Sequence, residues 1–275
     1  MPLQALEMLS PDTISTMVAK LPKPLKVLFI ALFWFLIWEI TSLLIGKRLL
    51  FPSPIDVTVR LAQLIITKDF LISCLYSLGR ISLGIIIAIV LGFITALLCH
   101  FSNTLYEILY PLVTVIKSTP VTSFIILIWI FVGNSITPVF ISALMVFPIV
   151  FANIYQGIKN VDKDLLEVCK VYNIPRKKMM KSLYVPSVVP YFLSALLSSI
   201  GLGWKAGIAA EVLCTPLNSI GKGIFEAKTY IEYVDLFAWT VTVIILSLVF
   251  ELLLTKLIKK LFSKFTKKQV KPNGN

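Results

Sequence analysis

The chain has 275 residues, of which 57% are hydrophobic and 15% are charged, and its mean hydropathy is +0.90. In soluble domains about a quarter of the residues are charged, so this composition excludes an ordinary soluble protein and indicates an integral membrane protein. The net charge of +12 does not indicate a nucleic-acid partner, because the basic residues gather at the ends of apolar runs instead of following one face. The apolar residues form long runs without alternation, which favours an all-α helix bundle over a β-barrel.

The first apolar run is expected to be a retained membrane span. Residues 1–26 lack a continuous apolar core, so we expect no cleavable signal peptide and assign them to an N-terminal segment. Residues 27–45 are about long enough to cross the hydrocarbon layer. After this span, Pro52 and Pro54 end any helix, and Ser53 or Asp56 is expected to cap a short surface helix.

Five more apolar runs bring the expected number of transmembrane helices to six. The second run is rich in glycine, which allows a neighbouring helix to approach closely. Pro120 is expected to break the third run. The predicted spans after the first are 75–98, two spans within 105–155, 188–212 and 236–254. Together they define a transmembrane domain over residues 27–258, followed by a basic tail at 259–275 that is expected to contact anionic lipid.

The distribution of basic residues predicts the orientation of the bundle. If the N-terminus is inside, the inner segments hold seventeen of the 26 lysines and arginines, and the outer segments hold six. The excess of positive charge belongs on the cytoplasmic side. Both termini and the basic loop at 159–187 are therefore expected in the cytoplasm.

The basic loop contains the pattern of a short amphipathic helix. Asp164 and Glu167 have the spacing of a capping box, with Asp164 as the N-cap. Asn173 suits a left-handed helix end, and Pro175 suits the first turn of a second helix that enters the membrane at Pro186. The apolar face is formed by Leu165, Val168, Cys169 and Tyr172. These residues alone fit an interfacial turn as well as a helix that docks on a partner.

The same loop resembles the signature loop of the permease subunits of binding-protein-dependent ABC importers. That signature is E-A-A, three residues, G, nine residues, I, one residue, L-P. Here Glu167-Val168-Cys169, Asn173 and Leu183-Tyr184-Val185-Pro186 stand at the same intervals. The two alanines and the glycine are replaced, although asparagine also adopts the left-handed conformation.

Four further stretches and the approach to this loop are similar to the nitrate, sulfonate and taurine branch of these permeases, in the same order. They extend the resemblance over about residues 50–254. The matching stretches are "LLFPSPIDVTVRL", "YPLVTVIKSTPVTSFIILIWIFVGNS", "FPIVFANIYQGIKNVDKDLLEV", "GLGWKAGIAAEVL" and "NSIGKGIFEAKTY".

The resemblance implies a type I ABC importer permease fold in the inner membrane of a prokaryote. Its implied partners are a second permease copy, two ATPase subunits, an extracytoplasmic solute-binding protein and membrane lipid. The chain has no G-x-x-x-x-G-K-[ST] motif, so ATP and Mg²⁺ would be bound by the partner ATPase, and this chain would not be an enzyme. The residues implied in ATPase coupling are Asp164, Leu165, Glu167, Val168, Cys169, Tyr172, Asn173 and Pro186.

Inserting a charged side chain at membrane depth costs about 2.5 to 3.5 kcal/mol, so each such residue is expected to have a partner or a function. Lys117 precedes Thr119 and Pro120, where a broken helix can line a polar cavity. Lys205 follows Trp204 in a glycine-rich stretch. We expect Lys117, Thr119, Trp204, Lys205 and Glu211 along a path for an anionic or polar solute. The alternatives are that Lys205 pairs with Glu211 or with a partner carboxylate, and that Trp204 packs at the subunit interface.

The outer loop after the fifth span is the remaining candidate region. Gly221 and Gly223 are expected to permit a tight re-entrant turn beside Ser219, which would close the path outward; a plain loop is the alternative. A membrane-embedded enzyme or a channel is the rival class. His100 is the single histidine, and Cys74, Cys99, Cys169 and Cys214 are widely spaced, so neither a metal site nor a catalytic cluster is predicted.

Overall fold

The computed structural model describes residues 22–46 and 50–266, and these residues form helices connected by short loops, without a β-strand. The N-terminal segment up to residue 21 and the tail from residue 267 lie outside the described residues. The helices are α1 Lys23–Ile45, α2 Pro54–Ile65, α3 Lys68–Phe101, α4 Asn103–Ser118, α5 Val121–Val132, α6 Thr137–Lys159, α7 Lys163–Val171, α8 Arg176–Met179, α9 Val185–Cys214, α10 Ile220–Thr229 and α11 Tyr233–Thr266.

Five helical segments of the described chain are long and apolar enough to cross a membrane, and one bent pair makes six. The five are α1, α3, α6, the continuous segment from α8 through α9, and α11. The bent pair is α4 with α5. The predicted six-span bundle is therefore confirmed. The helices α3 and α11 have 34 residues each and extend beyond the predicted spans, because their polar end residues continue the helix past the apolar run.

The break between α4 and α5 lies where it was predicted. Pro120 has no backbone N–H to donate to the carbonyl of Ile116, so α4 ends at Ser118 and α5 leaves at an angle of 108°. The Thr119 hydroxyl donates to the Val115 carbonyl at 2.8 Å. The same carbonyl accepts from the backbone N–H of Thr119 at 3.0 Å, so two groups of Thr119 hold the end of α4.

The core is formed where α6 packs between α3 and α9. Gly84 of α3 meets the backbone of Val139 on α6, so a larger residue there would push the two helices apart. The Ser142 hydroxyl of α6 donates to the carbonyl of Gly203 on α9 at 3.1 Å. The prediction that glycines in α3 permit close helix packing is confirmed at Gly84.

The surface helix α2 is tied to the start of α11. Ser53 caps it by accepting a hydrogen bond from the backbone N–H of Asp56 at 3.2 Å, which settles the predicted choice of cap. Arg60 donates two hydrogen bonds to Asp235, at 2.6 and 2.8 Å. Hydrogen bonding to this carboxylate raises the pKa of Arg60 above its ordinary value.

Candidate functional site

The short helix of the basic loop, α7, begins two residues earlier than its sequence suggested. Asp162 is the N-cap, and its carboxylate accepts hydrogen bonds from the backbone N–H groups of Asp164 and Leu165 at 2.9 and 3.3 Å. The prediction of Asp164 as the N-cap is therefore wrong. Both aspartates precede the apolar run, and the one that reaches the free N–H groups of the first turn is Asp162.

The end of α7 has the left-handed geometry that was predicted. Asn173 has φ of +49°, its N–H donates to Lys170, and the N–H of Ile174 donates to Cys169 at 2.9 Å. This pair of hydrogen bonds is a Schellman motif, which ends a helix sharply. Both ends of this nine-residue helix are therefore fixed by capping hydrogen bonds.

Several apolar side chains of α7 and its C-cap are exposed. Leu165 and Val168 are each 48% exposed, and Val171 and Tyr172 are each 76% exposed. Cys169 is only half-buried and lies against a depression toward the bundle, so it does not belong to the fully exposed set. Sequence reasoning missed Val171, which the spacing of three from Val168 places on the same face. Glu167 and Asp164 are exposed beside it.

The chain returns to the bundle through a π-helical turn, Met180–Tyr184, between α8 and α9. Pro175 is the N-cap of α8 and stands one residue before the predicted position. Pro186 lies in the first turn of α9, where its ring would collide with the carbonyl four residues earlier in a regular helix. The wider π turn at this point relieves that collision.

A polar stripe runs along the exposed side of α4 toward the bend. Its members stand four, three, four and three residues apart, so they share one helical face, and each is exposed. They are Asn103, Glu107, Tyr110, Thr114 and Lys117. Sequence reasoning found only Lys117 and, beyond the stripe, the half-buried Thr119; the regular spacing of the polar residues could have revealed the rest.

The predicted path residues on α9 divide between two sides of that helix. Lys205 is exposed and forms no salt bridge with any described residue. Trp204 is 1% exposed and packs on Phe250 with ring centroids 5.6 Å apart. Its assignment to a subunit interface is wrong, because the indole is enclosed within its own chain. Glu211 is also fully buried, and it faces Arg80 instead of Lys205.

Glu211 is the buried centre of a polar cluster that we call the outer clamp, after the predicted outer loop: Ser77, Arg80, Glu211, Asn218, Ile220 and Gly221. The Ser77 hydroxyl donates to Glu211 at 2.6 Å and accepts from the N–H of Ile220 at 2.9 Å. The N–H of Gly221 donates to the same carboxylate at 3.4 Å. Free N–H groups at the start of α10 are thereby satisfied by groups from α3 and α9.

Arg80 completes the outer clamp. Its guanidinium lies 3.5 Å from Glu211 and donates to the carbonyls of Leu217 and Asn218 at 2.8 and 3.1 Å. One arginine therefore balances the buried carboxylate and holds the chain that leads into α10. No element of this cluster was predicted beyond Glu211 and Gly221.

The outer loop is a helix and not a re-entrant glycine turn, so that prediction is wrong. Ser219 caps α10 by accepting from the N–H of Lys222 at 3.0 Å. The left-handed positions between α9 and α11 are Thr215, Asn218 and Ile231, at φ of +46°, +51° and +64°. Gly221 instead lets α10 lie directly against the Glu211 backbone.

No group of three metal-binding side chains occurs among the described residues, and the four cysteines are free.

Comparison with known proteins agrees with this architecture. The sequence profile of the binding-protein-dependent transport system inner membrane component matches residues 88–268. The chain is 27% identical over 198 residues to the formylaminopyrimidine transport permease protein ThiX of Halalkalibacterium halodurans, covering 72% of this chain and 78% of ThiX. It is 27% identical over 202 residues to the nitrate import permease protein NrtB of Synechococcus elongatus, covering 70% and 72%.

A third relative is the putative aliphatic sulfonates transport permease protein SsuC of Bacillus subtilis, 25% identical over 206 residues and 74% of each chain. Among solved structures, a bacterial ABC transporter that imports the acidic polysaccharide alginate aligns with a TM-score of 0.58 and 17% identity, covering 85% of this chain and 94% of that one. The fold is that of a type I ABC importer permease. The chain belongs to the family of binding-protein-dependent transport system inner membrane components.

Proposed function

We propose that this permease couples solute import to a separate ATPase through α7. The observation that carries the proposal is the face formed by Leu165, Val168, Val171 and Tyr172, which is apolar and exposed at the end of the bundle that carries the basic loop. An apolar patch that its own chain leaves uncovered is typical of a protein interface. Charged residues of both signs surround this face: Lys170 and Arg176 are exposed beside it, as are Asp164 and Glu167.

In this proposal, the basic loop and both termini are cytoplasmic, and two ATPase subunits bind ATP and Mg²⁺. Closure of the ATPase pair would move α7 and carry the bundle between inward-open and outward-open states. Two copies of this chain would enclose the path, and an external binding protein would deliver the solute at the end that holds α10.

The polar stripe of α4 and the exposed Lys205 support a path between the two copies. Both stand on surfaces that the single chain leaves uncovered, although ionisable groups are costly in contact with lipid. A water-filled path lined by the second copy would remove that cost. Lys117 and Lys205 favour a small anion or zwitterion as the solute, and the names of the nitrate and sulfonate relatives agree with that class.

The test of ATPase coupling is the substitution Val168→Asp. A carboxylate at the centre of the apolar face would have to lose its water in the interface, so we expect the ATPase subunit to be lost from a pull-down of tagged permease. Ile231→Asp is the matched control, since Ile231 is 59% exposed at the other end of the bundle. Recovery of equal ATPase with both variants and wild type would contradict the docking role of α7.

The role of the two lysines makes a separate prediction. In Lys117→Ala and Lys205→Ala, we expect the assembled complex to keep its ATPase subunit while uptake falls about tenfold, as loss of one charge-assisted hydrogen bond implies. Uptake would be measured in cells with nitrate, an alkyl sulfonate and formylaminopyrimidine. Lys228→Ala, an exposed lysine on α10, is the control. Wild-type uptake in both variants would show that neither lysine contributes to the solute path.

A further inference from the structure

An apolar cavity that the proposed transport cycle does not use lies beside the basic loop. Its volume is about 780 Å³, within the range of roughly 300 to 1,000 Å³ that is usual for small-molecule sites. The end of α3 forms one wall, and the segment from α8 to the first turns of α9 forms the other. Its apolar lining includes Phe93, Leu97, Met180, Val188 and Phe192.

Few polar groups line this cavity. Among its described lining residues, only His100, Arg176 and Tyr184 carry polar side-chain atoms. A second depression of about 700 Å³ shares Arg176 and Tyr184 with the first and adds Lys170 and Asn173. The described linings of both spaces contain no acidic side chain. The apolar cavity and the basic depression therefore adjoin at Arg176, Met179 and Tyr184.

We propose that the two spaces together bind one anionic phospholipid. An acyl chain fills the apolar cavity, and the phosphate lies against Arg176 with Lys170 nearby. Arginine binds phosphate through two parallel hydrogen bonds. A zwitterionic headgroup carries the same phosphate together with a cation, which Arg176 and Lys170 would repel, so an anionic headgroup is preferred. Phe101 lines the cavity and is the last residue of the apolar helix α3, so the cavity lies near the end of that span. If the basic loop is cytoplasmic, the lipid belongs to the cytoplasmic leaflet, which is rich in anionic lipid.

The lipid would also brace the connection between α7 and the bundle. Met180 and Tyr184 belong to the π-helical turn and line the apolar cavity, and His100 lies against Tyr184 with ring centroids 6.1 Å apart. An acyl chain in this position fills the space between α3 and the turn. Binding of lipid itself requires neither solute nor ATPase, so its test is independent of the proposed function.

The experiment is native mass spectrometry of the purified full chain, titrated in detergent with phosphatidylglycerol or phosphatidylcholine. We expect wild type to retain one phosphatidylglycerol at about tenfold lower lipid concentration than phosphatidylcholine, and Arg176→Gln to lose that preference. Val188→Phe, which fills the cavity, should weaken retention of both lipids. Lys181→Gln is the matched control, because Lys181 is exposed on the same segment and lines neither space.

Three results would overturn the proposal. Equal retention of the two lipids by wild type would show that the site does not select an anionic headgroup. If Lys181→Gln and Arg176→Gln lost the preference for phosphatidylglycerol equally, the lipid would be attracted to the basic surface as a whole and not to Arg176. Unchanged retention in Val188→Phe would show that the acyl chain lies elsewhere.

Discussion

Gly221→Val is expected to lower the free energy of unfolding by about 3 kcal/mol, the upper end of the usual cost of overpacking. A Cβ atom at position 221 would fall on the backbone of Glu211 and on the N–H of Val212. Backbone of a buried helix cannot move aside as a flexible side chain can. The added atoms would therefore push α10 away from α9 and break the hydrogen bond from Gly221 to Glu211. Unfolding of the purified protein in detergent, followed by circular dichroism, would measure the loss.

Gly79→Ala is the matched control for this prediction. Gly79 also lies in a helix, but a Cβ atom there would meet no other atom within 4 Å. Alanine is a better helix former than glycine, so we expect this variant to be unchanged or more stable by about 0.5 kcal/mol. Equal effects at positions 79 and 221 would show that helix propensity, and not the contact of α10 with α9, determines the result.

Arg80→Ala is expected to be destabilising by about 3 kcal/mol as well, for an electrostatic reason. The side chain of Glu211 is fully buried, and that of Arg80 is 14% exposed. Removing the guanidinium leaves the carboxylate without its counter-ion, which costs far more than the net contribution of the intact pair. The carbonyls of Leu217 and Asn218 lose their donor in the same variant.

A double-mutant cycle would separate the two contributions of Arg80. The variant Glu211→Gln replaces the charge by a neutral amide whose oxygen still accepts from Ser77 and Gly221. In the Arg80→Ala background, we expect this change to restore at least about 1 kcal/mol of the lost free energy of unfolding. If Glu211→Gln instead added fully to the loss from Arg80→Ala, the buried charge would not be the cause.

The spans and their ends followed from local features of the sequence. Apolar runs locate membrane helices because the hydrocarbon layer requires apolar side chains on a helical backbone. Pro120 ends its helix because its ring leaves no backbone N–H to donate. The left-handed Asn173 was also predictable, since asparagine tolerates that conformation better than most residues. The choice of N-cap was not, because Asp162 and Asp164 are chemically equal and only the path of the backbone decides between them.

The outer clamp could not be predicted because its contacts join distant parts of the chain. Ser77 and Glu211 are 134 positions apart, and nothing in either neighbourhood indicates the other. The side of α9 that carries Trp204 was equally hidden, since that helix is apolar on most of its circumference. The apolar pattern of such a helix does not reveal which side is covered by its own chain.

The continuity of α9 has a mechanical consequence. Pro186 and Glu211 lie at opposite ends of one helix, 25 residues and about 38 Å apart at 1.5 Å per residue. In the proposed function, a tilt of α9 at the basic loop would also displace the Glu211 carboxylate that holds α10. Because both sites lie on one helix, with Pro190 between them, its backbone would couple the two ends of the permease without a relay of side-chain rearrangements.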